Sequence, residues 1–299
     1  KRIAKVLQKY RITSNYVKLD VNREDFIPLS PSIKHQKFSI VDIEPGIYVG
    51  IETESIKVVF NLRRGMVIEK LAFKAQEFRT SIGTLKQGFF KDISRGADFY
   101  SGGVIIELPE KRQKITDLQP VEVKASVNKN GNLELFAEIE TSIGKIEKII
   151  EIFLYEEKVK ISYYLSGMKE NIASIRLGNF TLSPEFSKSL VSYACNTGGN
   201  FKTEFNVDGT IHQSQSASSF VSSSRGFCST SGELFIKGSI DSLAITWDPF
   251  NCVPLCFLDH DNEYTRIIFS LNEVDDTSTK KDLSGSLSLA IEPLTNIKH

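Results

Sequence analysis

Arg63, Arg64, Asp98 and Tyr100, with Trp247, Asp248 and His260 further along, are the side chains of this chain whose types and neighbours suit a sugar-binding surface. Guanidinium and carboxylate groups exchange hydrogen bonds with hydroxyls, and a flat aromatic face covers the C–H face of a pyranose ring. The first four lie between Asn61 and Leu108, where glycines, aromatics and unlike charges alternate between segments that read as strands. Phe89, Phe90, Phe99 and Tyr100 supply apolar faces, Arg63, Arg64, Asp92 and Asp98 supply hydrogen-bonding groups, and glycines let the backbone approach a ligand closely. Each feature also has a plainer reading. Glycine-rich stretches between strands form long turns, aromatics in them pack on the sheet they cap, and a tryptophan at the end of a strand is ordinarily core.

Catalytic signatures are missing from the sequence. It has no Gly-x-Ser-x-Gly elbow, no phosphate-binding glycine-lysine loop, no His-Glu-x-x-His and no Cys-x-x-Cys, so neither a cofactor nor a metal is expected. Of the four histidines, His35 sits in a lead-in and His299 at the end, which leaves His212 and His260 as acid/base candidates beside a carboxylate. Asp259-His260-Asp261 offers such a pair, and followed by Asn262 it reads equally as a polar hairpin turn. Cys195, Cys228, Cys252 and Cys256 all fall in the last third. They are too sparse for a disulfide framework and lack a nearby histidine for zinc, so buried free thiols are expected.

The elements that must position these groups are mostly strands. A chain of 299 residues, 40% of them hydrophobic, can bury a large core in one big β domain or two ordinary ones. Lys plus Arg and Asp plus Glu balance at 37 each, so no global field draws it to nucleic acid or an anionic membrane. No apolar run is long enough for a membrane span, and no signal peptide is visible. A soluble protein is expected, with its compartment open. Because the sequence starts at Lys1 and not Met, an excised piece with an upstream partner is one reading. Ile3, Val6, Leu7 and Tyr10 mark a short amphipathic helix with a basic outer face, and residues 1–37 read as that helix plus a lead-in.

From Phe38 to the end the pattern is β. Leu133, Leu135, Ala137 and Ile139 alternate with Glu134, Phe136, Glu138 and Glu140, and Asn130-Gly131 marks a hairpin before them. Ile146 to Leu154 and Val159 to Leu165 repeat that logic, and further short candidates bring the total well above a dozen strands. Stacked antiparallel sheets follow, not a doubly wound parallel sheet. The serine-rich insert from Ser214 to Ser231 lacks the apolar content for a core and reads as a lid or a solvated excursion.

Three segments carry a family resemblance: Asn61-Leu62-Arg63-Arg64-Gly65 before an apolar strand, Gly96-Ala97-Asp98-Phe99-Tyr100-Ser101-Gly102, and Gly232-Glu233-Leu234-Phe235-Ile236-Lys237-Gly238 running on to Trp247-Asp248. Together they resemble the C-terminal β-supersandwich region of glycoside hydrolases of the family 57 and family 38 kind, over about residues 38 to 292. Galactose mutarotases share that fold class. The resemblance implies an all-β, galactose mutarotase-like supersandwich with carbohydrate as the ligand class. In those hydrolases the catalytic acids belong to a separate barrel, and the βα alternation of a barrel is missing here. The expectation is therefore a glycan-binding or supporting domain. The alternatives are an autonomous aldose 1-epimerase using His212 or His260 with a carboxylate, and an interaction module without ligand.

Overall fold

The computed structural model of the chain describes residues 32–34, 37–84, 99–108, 111, 113–168, 174–199, 201–215, 222–261, 264–273 and 285–294. The expected amphipathic helix lies outside the described residues, as does Asp98. The chain forms strands β1 (Ser32–Lys34), β2 (Phe38–Glu44), β3 (Tyr48–Thr53), β4 (Ile56–Asn61), β5 (Val67–Phe73), β6 (Thr80–Gly83) and β7 (Gly103–Leu108). There follow β8 (Gln113–Thr116), β9 (Val123–Val127), β10 (Leu133–Glu140), β11 (Lys145–Ile152), β12 (Val159–Ser166), β13 (Ser174–Leu182) and β14 (Leu190–Cys195). The remainder are β15 (Thr203–Asn206), β16 (Ile211–His212), β17 (Glu233–Gly238), β18 (Ser242–Thr246), β19 (Leu255–His260), β20 (Thr265–Asn272) and β21 (Gly285–Pro293). A six-residue helix, Pro184–Ser189, capped by the Ser183 hydroxyl, joins β13 to β14.

These strands make two antiparallel sheets. The larger runs β1-β2-β3-β4-β5-β6-β13-β20-β19-β16, with β7 and β8 attached to β13, and the smaller runs β15-β14-β17-β18-β21-β12-β11-β10-β9. Alternation on the pleat decides the packing, since successive side chains leave opposite faces. On β10, Leu133, Leu135, Ala137 and Ile139 are buried in the core while Glu134, Phe136, Glu138 and Glu140 face out, as the sequence pattern predicts. Asn130-Gly131 makes the expected turn, with Gly131 at φ 80. The inward rows of both sheets, among them Val58, Phe60, Ile150, Ile161, Leu177 and Leu289, merge into one core. The lead-in contributes a strand, because Ser32–Lys34 pairs with β2.

One polar group sits inside that core. Lys148 on β11 and Asp117 after β8 form an ion pair with no exposed side-chain surface on either partner. Lys148 also donates to the Gly65 carbonyl at 2.7 Å, and the Val104 amide donates to Asp117 at 2.9 Å. A ring of fixed partners of this kind is what a charge buried away from water requires. The pair ties the smaller sheet to the turn between β4 and β5. Gly65 in that turn has φ +70, and a Cβ there would lie 2.1 Å from the Asp117 carbonyl oxygen, so only glycine fits.

Candidate functional site

The core-facing residues of the larger sheet fix which groups lie on its outer face. Arg176 falls between the core residues Ile175 and Leu177, Asp259 follows core Leu258, and Arg266 precedes core Ile267. All three point outward, yet all three are buried. Arg176 grips Glu273 at 2.9 and 3.1 Å, and Arg266 donates to Asp259 at 3.0 Å. Arg266 also lies over the rings of Phe99 and Tyr264, at 4.9 and 5.1 Å.

What covers these charges corrects the reading of the serine-rich insert. Arg176 donates to the carbonyls of Ser214 and Ser222, while the Ser214 hydroxyl and amide donate to Asp259 and the Ser222 hydroxyl to Glu273. Ser214, Ser222 and Ser229 are buried. A segment poor in apolar side chains adds little to a core beyond Phe227, but it can satisfy buried charges, and there short hydroxyl side chains and free carbonyls are the right material. Between β13 and β19 the outer face is thus filled by the protein's own groups.

Toward β4 and β5 the face is partly open, with Tyr48, Arg64 and Tyr100 each partly exposed. Tyr48 pairs with Asn61 and flanks the core pair Val49 and Phe60, so Tyr48 and Asn61 stand on the outer face. The β-bridge between Ile68 and Ser101 brings the Tyr100 segment alongside β5. The Arg64 guanidinium then lies 5.8 Å from the Tyr100 ring centroid, within cation–π range, and both residues are partly exposed. Arg63 beside it is exposed. Burial pushes the Tyr48 hydroxyl up, and the charges of Glu69 and Glu44 and the neighbouring Tyr100 add to that shift. Burial likewise raises the Glu69 carboxyl, against the Asn61 side chain and Lys70, which pull it down.

The sign of the Glu69 shift gives a test. A carboxyl whose folded pKa lies above its unfolded value favours folding only once protonated, so this contribution is unfavourable at neutral pH and vanishes as pH falls below the carboxylate range. Glu69→Gln is expected to raise the urea midpoint at pH 7, by less than about 1 kcal/mol, and to lose that advantage in acid. An equal effect at both pH values would show that the carboxyl's charge is not the cause.

The remaining sequence candidates separate from this end. Trp247 is 7% exposed and packs edge-on against Phe269 with centroids 5.5 Å apart, so it offers no open face for stacking. Asp248 is a turn cap: its two oxygens accept from the Phe250 amide at 2.9 Å and the Asn251 side chain at 2.7 Å. The expected Trp247–Asp248 sugar pair is therefore a core residue followed by a turn. His260 shares the inward side of β19 with Leu258, its Nδ1 lies 2.7 Å from Thr265 Oγ1, and burial lowers its pKa while Asp261 opposes the shift. Asp261 closes the β19–β20 hairpin by accepting from the Tyr264 amide at 3.1 Å. His212 pairs with Asp259 and so faces outward, with Nδ1 buried and unbonded. The two histidines thus stand on opposite faces of their ladder. All four cysteines are free, with Cys195 and Cys256 buried and Cys228 and Cys252 half-buried. Among the described residues no group of three or more His, Cys, Asp or Glu is placed to hold a metal ion, and no helix is long and apolar enough to cross a membrane.

Sequence reasoning missed Tyr48, Asn61 and Glu69 at the open end and Arg176, Arg266 and Glu273 in the filled part. The available signal was a charge between two apolar residues in Ile175-Arg176-Leu177, and a charge opening an apolar run in Arg266-Ile267-Ile268-Phe269.

No family model and no curated protein matches the chain. Among solved structures, a galactose mutarotase-like protein from Clostridium acetobutylicum superposes with a TM-score of 0.50 at 9% identity, over 87% of this chain and 99% of that one. The α-N-acetylgalactosaminidase NagBb from Bifidobacterium bifidum superposes with a TM-score of 0.49 at 6% identity, and the match spans 88% of this chain but only 36% of that enzyme. At such identities the likeness is one of fold, and the fold of this chain is the galactose mutarotase-like β-sandwich.

Proposed function

We propose that this chain is a carbohydrate-associated β-sandwich domain that binds glycan at the open end of its larger sheet, through Tyr100, Arg64 and Arg63, and supports catalysis carried elsewhere. The observation that carries the reading is a partly exposed Tyr100 ring backed by the Arg64 guanidinium. An aromatic with one wet face and a fixed neighbour is a stacking platform of low entropic cost. The sandwich is the same as that of a galactose mutarotase-like protein, which supports sugar as the ligand class. The resemblance to the supersandwich region of family 57 and family 38 hydrolases supports a domain that accompanies a catalytic partner. Tyr100→Ala is expected to weaken oligosaccharide binding about tenfold or more in titration calorimetry, with the unfolding midpoint little changed. Unchanged affinity for a glycan that the parent protein binds would sink the assignment.

A second reading, an aldose 1-epimerase, rests on one observation: His212 faces the outer side beside Asp259 with a buried, unbonded Nδ1. Against it, Asp259 is already held by Ser214 and Arg266. Polarimetry with freshly dissolved aldoses separates the two, since only an epimerase accelerates mutarotation and loses that activity in His212→Asn.

A further inference from the structure

Among the described residues, three arginines are committed to carboxylates. Arg79 holds Asp241 at 2.8 and 3.1 Å and Glu77 at 2.7 Å, Arg176 holds Glu273 at 2.9 and 3.1 Å, and Arg266 holds Asp259 at 3.0 Å. Arg63 and Arg64 differ. Among the described residues neither has a carboxylate within ion-pair distance, and the Arg64 head group lies over the Tyr100 ring.

The backbone that carries them is nonetheless held from several sides. Asn61 Oδ1 accepts from the Arg63 amide at 3.1 Å, the Leu62 amide donates to Ile47 at 2.7 Å, and the Val121 amide donates to Leu62 at 3.0 Å. The Gly65 amide donates to Gln119 at 2.8 Å, and the buried Lys148 ammonium binds the Gly65 carbonyl at 2.7 Å. Two neighbouring arginines without acidic partners among the described residues, on a turn whose backbone is clamped this way, can offer charge-assisted hydrogen bonds to an anion. Among the described residues, Glu44 and Glu69 lie close enough to act on Tyr48 at this end, and Glu69 is partly withdrawn into the sheet.

We infer that the glycan taken at this end is acidic: a sugar whose carboxylate or sulfate is bound by Arg63 and Arg64 while its ring lies on Tyr100. The inference rests on the glycan reading above and narrows its ligand class. It predicts a preference set by charge within one ring geometry, since exposed arginines act on anions through charge-assisted hydrogen bonds.

The test is titration calorimetry of the full chain with three oligosaccharide sets of matched length: oligogalacturonates, sulfated galactan fragments and neutral galactan fragments. Polyglutamate serves as a sugar-free anion, and Arg63→Gln/Arg64→Gln and Tyr100→Ala are run beside the parent protein. At least one acidic set is expected to bind about tenfold or more tighter than the neutral set, a gap of about 1.4 kcal/mol. The double glutamine variant should erase that gap, and polyglutamate should bind far more weakly. Whether the oligogalacturonates or the sulfated fragments bind tighter identifies the anion. Equal binding of neutral and acidic sets overturns the inference and leaves the glycan reading standing, as does an acidic preference that survives in the double variant. Polyglutamate binding as tightly as the acidic sugars reduces the site to ion exchange and overturns it. Binding by none of the sets overturns both readings.

Discussion

Asp117→Ala is expected to cost the protein about 3–5 kcal/mol, because it leaves the Lys148 ammonium fully buried with the Gly65 carbonyl but no counter-charge. Lys148→Met should be costly in the mirror sense, by stranding a carboxylate in the core. Asp117→Asn combined with Lys148→Met removes both charges and keeps an acceptor for the Val104 amide, so the double variant should recover most of the loss. A double-mutant cycle in urea built on Asp117→Asn, Lys148→Met and their combination measures this directly. Single variants that each cost under about 1 kcal/mol would mean that water reaches the pair, contrary to its burial. The experiment bears on the site as well. Gly65 lies between the ion pair and the arginines, so Asp117→Ala should also loosen ligand binding at Arg63 and Arg64 before the protein unfolds.

Trp247→Ala should cost a comparable amount, about 3–5 kcal/mol, through the cavity left against Phe269. Trp247→Phe should cost much less: it fills part of the space and removes an indole N–H that is buried without a partner. Tyr100→Ala, at a partly exposed position, should stay within about 1 kcal/mol. Chemical denaturation followed by circular dichroism ranks the three. A Trp247→Ala protein as stable as its parent would return Trp247 to the surface and revive it as a stacking residue.

The contrast between these aromatics shows what the sequence could disclose. Strands with one wet face were legible: the alternation in β10 and β12 gave both extent and orientation, because burial on one side imposes a period of two. β13 carries nine buried residues in a row, although Ser174, Arg176, Gly178, Asn179 and Thr181 are not apolar, and its sequence therefore shows where the strand lies but not that both its faces are covered. Short strands such as β8 and β16 escaped, since Gln113–Thr116 and Ile211–His212 are held by their neighbours and not by their own composition. At the site, residue type suggested sugar chemistry but not location. Arg64 meets Tyr100 only because the Ile68–Ser101 bridge sets the register. Trp247 and Asp248 look alike on paper whether the ring turns in or out. A serine-rich, apolar-poor segment reads as solvent-facing, yet the carbonyls of Ser214 and Ser222 accept from the buried Arg176.

The smaller sheet carries a constraint on how the molecule is made. β21 lies between β12 and β18, so the last of the described strands in chain order occupies the middle of the sheet. Until Gly285–Pro293 emerges, β12 and β18 each present an open edge of unpaired amides and carbonyls, the template on which β proteins aggregate. Completion of the nine-stranded sheet is thus a late, long-range closure, and a ribosome pausing within Gly285–Pro293 would leave both edges unpaired for the length of the pause.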